Sequence, residues 1–126
     1  MTLVLDSGAL IALDRNDRAM WRRLKAAQLA GDEAVSHGGV IGQAWRGGGP
    51  RQTLLASALG GIEVRPLAEA LGRAAGKPLA ITKRRDVIDA ALVLLAADGD
   101  FIVTSDPDDN EPLAHASGRH VEIIRA

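Results

Sequence analysis

Asp6 directly follows the apolar run Leu3-Val4-Leu5, and Asp106 follows Phe101-Ile102-Val103 after Thr104 and Ser105. Short, fully apolar runs of this kind read as strands buried on both faces. If the two strands are parallel, both acids lie on the rim where open α/β sheets bind their ligands. A third acid, Asp89, sits early in the apolar stretch from Asp86 to Ala97. Three carboxylates converging on one rim repel one another unless a cation neutralises them. All-oxygen donors with no cysteine suit Mg²⁺ or Mn²⁺. An ion held in this way activates water and stabilises charge on a phosphoryl group, which is the chemistry of phosphodiester hydrolysis. Each acid also has a structural reading. Asp6 or Ser7 can cap the helix beginning near Gly8. Asp106-Pro107-Asp108-Asp109 can be a turn or helix start with proline at the first helical position. Asp86 and Asp89 can be a cap and a first-turn acid.

The elements that must position these groups alternate in period. Leu3 to Leu5, Glu33 to Ser36, Ile62 to Val64, Phe101 to Val103 and Val121 to Ile124 are expected strands. Ala9 to Leu13 reads as a short helix. A second helix, capped by Asn16 or Asp17, carries Met20, Trp21, Leu24, Ala27 and Leu29 on one face and stops at Gly31. Val40, Ile41, Ala44 and Trp45 mark a third, closed by Gly47-Gly48-Gly49. Pro50 opens a fourth, with Leu54, Leu55, Ala58 and Leu59 inward and Gly60-Gly61 at its end. Leu67, Ala70, Leu71 and Ala74 predict a helix ending at Gly76. Asp86 to Ala97 is the most apolar helix, and a short one is expected near Leu113. Strands separated by helices require crossover connections, hence an α/β sandwich with a parallel sheet and helices on both faces.

The 126 residues include 15 basic and 16 acidic side chains, for a formal net charge of −1. Length and a 47% hydrophobic content fit one domain, 1–126, with a single core. The charge balance disfavours a broad electrostatic nucleic-acid binder, so charge position matters more than its sum. With no cysteine, disulfides, thiolate zinc sites, Fe–S clusters and cysteine nucleophiles are excluded. A cytoplasmic location is the natural reading. The first residues lack the basic region and apolar length of a signal peptide, and the longest apolar stretch, Ala90 to Ala97, falls far short of a spanning helix.

Four segments together resemble the PIN-domain nucleases, specifically the small VapC-type toxins of prokaryotic toxin–antitoxin pairs. They are Val4-Leu5-Asp6-Ser7-Gly8-Ala9-Leu10, Val40-Ile41-Gly42-Gln43-Ala44-Trp45-Arg46, Asp86-Val87-Ile88-Asp89-Ala90, and Val103-Thr104-Ser105-Asp106-Pro107-Asp108-Asp109. They span nearly the whole chain in the family's order. The resemblance implies a three-layer α/β/α fold with a sheet of four to five strands. It implies Mg²⁺- or Mn²⁺-dependent endoribonuclease activity, a homodimer, and inhibition by a cognate antitoxin. It assigns Asp6, Asp89 and Asp106 as catalytic metal ligands, with Ser7 and Thr104 in support. One position departs from the family pattern. Gln43 stands where the second motif normally has glutamate, and an amide keeps an oxygen donor but loses the charge. Glu33 lies on the wrong side of its strand to substitute.

Basic side chains gather near two of these motifs. Lys83-Arg84-Arg85 precedes the helix carrying Asp89, and Arg46 and Arg51 flank the glycine triplet. All five are candidate contacts to RNA phosphates; a solvated basic loop is the alternative for 83–85. Trp45 is a candidate base-stacking or core residue, and Arg22, Arg23 and Lys25 read as an exposed helix face. Gly72 to Pro78 has the wrong spacing and context for a phosphate loop. His37, His115 and His120 lack metal-ligand spacing. Beside the nuclease stand two other readings. One is a non-catalytic PIN-like module that binds RNA or a protein partner; the other is a small-molecule domain using the same crevice.

Overall fold

The computed structural model describes all 126 residues. Five strands form one all-parallel sheet: β1 (Thr2–Leu5), β2 (Glu33–His37), β3 (Glu63–Arg65), β4 (Phe101–Thr104) and β5 (Glu122–Arg125), in the order β3-β2-β1-β4-β5. Seven α-helices connect them: α1 (Ser7–Asp14), α2 (Arg18–Leu29), α3 (Gly38–Ala44), α4 (Thr53–Leu59), α5 (Glu69–Thr82), α6 (Val87–Val93) and α7 (Pro107–Ala116). A single 3₁₀ turn, Pro50–Gln52, precedes α4. Helix α1 packs against α2, α3 and α4, while α5, α6 and α7 pack against one another. The result is the expected three-layer α/β/α sandwich. The central strands are buried on both faces: Val4, Leu5, Val35, Ile102 and Val103 have no exposed surface. No helix is long and apolar enough to cross a membrane.

The chain starts in the middle of the sheet, steps outward through β2 and β3, then crosses to the far side of β1 to form β4. The strand order therefore reverses between β1 and β4. Their C-terminal ends are pinned in register by the pairing of Leu5 with Val103 and by the Asp6 amide donating to the Val103 carbonyl at 3.1 Å.

Several expectations about the elements are corrected. Helix α5 does not stop at Gly76 but runs on through Pro78 to Thr82, because burying Ala75 and Pro78 on one face outweighs the local helix breakers. The Thr82 hydroxyl donates to the Pro78 carbonyl at 2.8 Å near its end. The apolar stretch to Ala97 is not one helix. α6 ends at Val93, and tight turns follow in which Leu95 and Ala96 donate to the carbonyls of Leu92 and Val93. Residues 90–96 are buried almost throughout, so their composition carries no period to mark the end. Asp17, not Asn16, caps α2; its side chain accepts the Met20 amide at 2.9 Å. Leu29 and Leu54, expected inward, are 90% and 38% exposed; the first is the last residue of α2 and the second lies in the opening turn of α4.

Candidate functional site

Asp6 is the residue between β1 and α1, so its position follows from chain adjacency alone. Its side chain caps α1 by accepting the Ala9 amide at 2.9 Å. The Thr104 hydroxyl and the backbone amides of Ser105 and Gly8 also approach the carboxylate. Burial raises its pKa above the ordinary carboxylate value, and these four donors pull it partly back. The cradle requires Gly8, since a Cβ there would overlap the Ser105 side chain and stand 3.0 Å from the Ser105 nitrogen.

Thr104, the last residue of β4, is fully buried and ties the rim together. Besides serving Asp6, its hydroxyl accepts the Asp106 amide at 2.9 Å and the Asn110 side-chain amide at 3.0 Å. Asn110 also donates to the Asp106 carbonyl at 3.0 Å, which holds the first turn of α7 against the strand end. Ser7 is half-buried in the first turn of α1.

Asp89 lies in the first turn of α6, behind Asp86, whose carboxylate caps the helix through the amides of Ile88 and Asp89 at 3.0 and 3.1 Å. Burial, then the carboxylates of Asp86, Asp109 and Asp6, push Asp89 up to about 7. Asp106 is exposed. A hydrogen bond with Asp109 is the first cause of its raised pKa, and the charges of Asp109 and Asp108 add to it. The acid nearest in influence to Asp89 from the β4 side is therefore Asp109. Its one signal in the sequence is its spacing three residues beyond Asp106 in a helix start, which places it on a neighbouring part of the same turn. Asp86, Asp89 and Asp109 share a small hollow of about 180 Å³ with Arg84 and Arg85. Arg84 closes on Asp109 at 3.0 Å.

The chemistry of this donor set fits a hard divalent cation: every donor is a carboxylate, and burial together with neighbouring carboxylates disfavours the charge on Asp89 when no cation is there to offset it. As positioned, no three acidic or histidine side chains surround one point. Binding would require side-chain rotation within the hollow.

His37, isolated in the sequence, has a structural role. It is fully buried at the end of β2, where it caps α3 and fastens it to α6: Nδ1 accepts the Gly39 amide at 3.1 Å and Nε2 lies 2.9 Å from the Ile88 carbonyl. Burial lowers its pKa, so the neutral ring donates from Nε2. Beside it, Ser36 donates to the Leu5 carbonyl at 2.8 Å. Both hold the strand ends and α6 in place around the acids.

The five candidate phosphate contacts separate into two places. Arg84 and Arg85 border the acidic hollow, and Lys83 terminates α5 with a φ of +58°. Arg46 and Arg51 instead line a larger cleft of about 680 Å³ between α1 and α3, joined by Arg15. Gln43 opens into this cleft as well. Trp45 is half-buried and packs on the core, its ring lying over Gly48.

No protein-family model and no curated protein matches the chain. In structure it is similar to a chain of VapBC2 from Rickettsia felis, solved bound to a DNA fragment from their promoter, with a TM-score of 0.67. The match covers 98% of each chain at 11% sequence identity, and at that identity the likeness establishes the shared fold.

Proposed function

We propose that this protein is a Mg²⁺- or Mn²⁺-dependent endoribonuclease and the toxin of a toxin–antitoxin pair, acting in the cytoplasm. The observation that carries the reading is Asp89, pushed up to about 7 by burial and by the carboxylates of Asp86, Asp109 and Asp6, beside the β1/β4 reversal that Asp6 and Asp106 follow. The fold shared with a VapBC2 chain supports it, as do the four ordered motifs.

In this reading Asp6, Asp89 and Asp106 hold the ion, with Asp109 as a further donor. When bound, the ion supplies water activation and neutralises charge on the phosphoryl group. The chain's own residues do the rest. Thr104 and the amides of Gly8, Ala9 and Ser105 hold the Asp6 carboxylate in one orientation. Arg84 and Arg85, at the edge of the hollow, would bind phosphate oxygens, Arg84 exchanging its pairing with Asp109 for the phosphate. The partners are RNA, a cognate antitoxin and a second copy of the chain; exposed Leu29 and Ile81 supply apolar surface for such contacts.

Asp6→Asn is the direct test, because asparagine caps a helix as well as aspartate does and so preserves α1. Cleavage of a structured RNA with Mg²⁺ should disappear. Equal cleavage by wild type and Asp6→Asn rejects the proposal. Gln43 and the lack of three convergent donors favour a second reading, a non-catalytic module binding RNA or protein. RNA binding with neither Mn²⁺ binding nor turnover would select it.

A further inference from the structure

The cleft between α1 and α3 is built as a site, and the acid cluster does not use it. Its outer wall is the segment from Trp45 to Gln52, which contains three consecutive glycines at positive φ. Such a stretch is floppy unless fastened. Gln52 fastens it. The side chain is 6% exposed and all its hydrogen-bonding capacity is used. Its oxygen accepts the amides of Arg46 and Gly48 at 2.8 and 2.9 Å. Its nitrogen donates to the Ala44 carbonyl at 3.1 Å and to Asp14 at 3.3 Å. A buried, fully satisfied amide that ties a glycine loop to two helices makes the loop rigid.

On this rigid frame sit three guanidinium groups. Arg46 is braced against the carbonyls of Gly42 and Trp45 at 3.1 and 2.8 Å. Arg15 and Arg51 are exposed and make no ion pair within the chain. The single acid in the cleft, Asp14, has one carboxylate oxygen bonded to Gln52 and the other buried without a partner, and its one charge is outnumbered by the three guanidinium groups. The surface offered to a ligand is therefore cationic. Gln43 completes it. A glutamate at that position would place a negative charge among the arginines, whereas an amide offers N–H donors to an anion.

We propose that this cleft is a second phosphate-binding subsite that grips single-stranded RNA away from the acid cluster. Helix α1 runs from Asp6 at one site to Arg15 at the other, about 13 Å at ~1.5 Å per residue. That separation places the cleft several nucleotides along a bound strand. Gln43 then belongs to substrate binding and not to the metal centre. The inference rests on RNA as the ligand of the nuclease reading, but its test does not need cleavage.

The test is binding of a short fluorescent single-stranded RNA in the presence of a chelator, followed by anisotropy over a range of potassium chloride concentrations. Arg15→Ala with Arg51→Ala removes no hydrogen bond of the fold, and an unchanged circular dichroism melt checks this. The double variant should bind about tenfold more weakly per arginine. The slope of log affinity against log salt should flatten by about 1.4, from roughly 0.7 per phosphate contact on a single strand. Gln43→Glu should weaken RNA binding and leave Mn²⁺ affinity unchanged. Unaltered RNA affinity and slope in the double variant overturn the proposal. So does a Gln43→Glu variant that binds Mn²⁺ more tightly with RNA affinity intact, which returns residue 43 to the metal centre. Loss of poly-glutamate binding with RNA binding intact overturns it too, by assigning the cleft to an acidic protein partner. Wild-type protein that binds RNA through this cleft yet never cleaves would reject the nuclease reading alone.

Discussion

Replacing Asp89 by asparagine should stabilise the metal-free protein, and the pH at which it does so is fixed by the cause. Burial and the carboxylates of Asp86, Asp109 and Asp6 raise Asp89 from 3.8 to about 7 in the folded state. Between those values the folded chain binds a proton that the unfolded chain has released. The contribution of Asp89 to stability is therefore most favourable below about pH 4 and falls as pH rises toward 7. The full displacement corresponds to a ceiling of about 4 kcal/mol at ~1.4 kcal/mol per tenfold change. Asp89 is only half-buried and water screens much of this field, which leaves about 1–2 kcal/mol at neutral pH. Asparagine carries no charge and avoids that cost. For a chain of this length the gain corresponds to an increase in Tm of about 4–8 °C. Thermal melts from about pH 4 to about pH 8 with chelator present should show the two proteins converging at the acid end and separating at the alkaline end. Adding Mn²⁺ should reverse the order. At roughly 100 times its Kd the ion stabilises wild type by about 2.7 kcal/mol and the variant by much less. If Asp89→Asn is the less stable protein in chelator at the alkaline end, the carboxylates do not repel as argued. A difference that is the same at both ends of the pH range is equally damaging.

Thr104→Val keeps the shape but removes the hydroxyl shared by Asp6, Asp106 and Asn110; urea unfolding should show a loss of about 1–3 kcal/mol. NMR titration of the same variant should move Asp6 further upward, since the lost hydrogen bond is one that lowers it. Gly8→Ala should cost about 1–3 kcal/mol through overlap with Ser105, and Ser105→Gly in the same chain should recover part of it. His37→Leu leaves the Gly39 amide and the Ile88 carbonyl unpaired, at about 1–3 kcal/mol. Because burial holds His37 below 6.5, wild type loses stability as pH falls below that value. The leucine variant should lack that part of the acid limb, read as Tm against pH.

The parts legible in the sequence are those set by neighbours along the chain. Three hydrophobic residues followed at once by Asp6 identify a buried strand and an acid at its carboxyl end, and Phe101 to Asp106 does the same for β4. Helix ends were less legible where burial was complete. Nothing in Ala90 to Ala97 distinguishes helix from turn, and the Pro78 that ought to stop α5 is buried within it.

By itself, then, the sequence determined the alternation of strands and helices, the parallel sheet and the acids at its rim, because these depend on periodicity and adjacency. Tertiary structure decided which side chains meet. It turned Asp109 toward Asp89 while Asp106 stayed exposed, and it set Gln43 among Arg15, Arg46 and Arg51 in a cleft apart from the acid hollow. It also gave His37, Gln52 and Asn110 their partners on other elements. The direction a side chain takes between two packed helices depends on contacts far apart in the chain, and no local pattern encodes them.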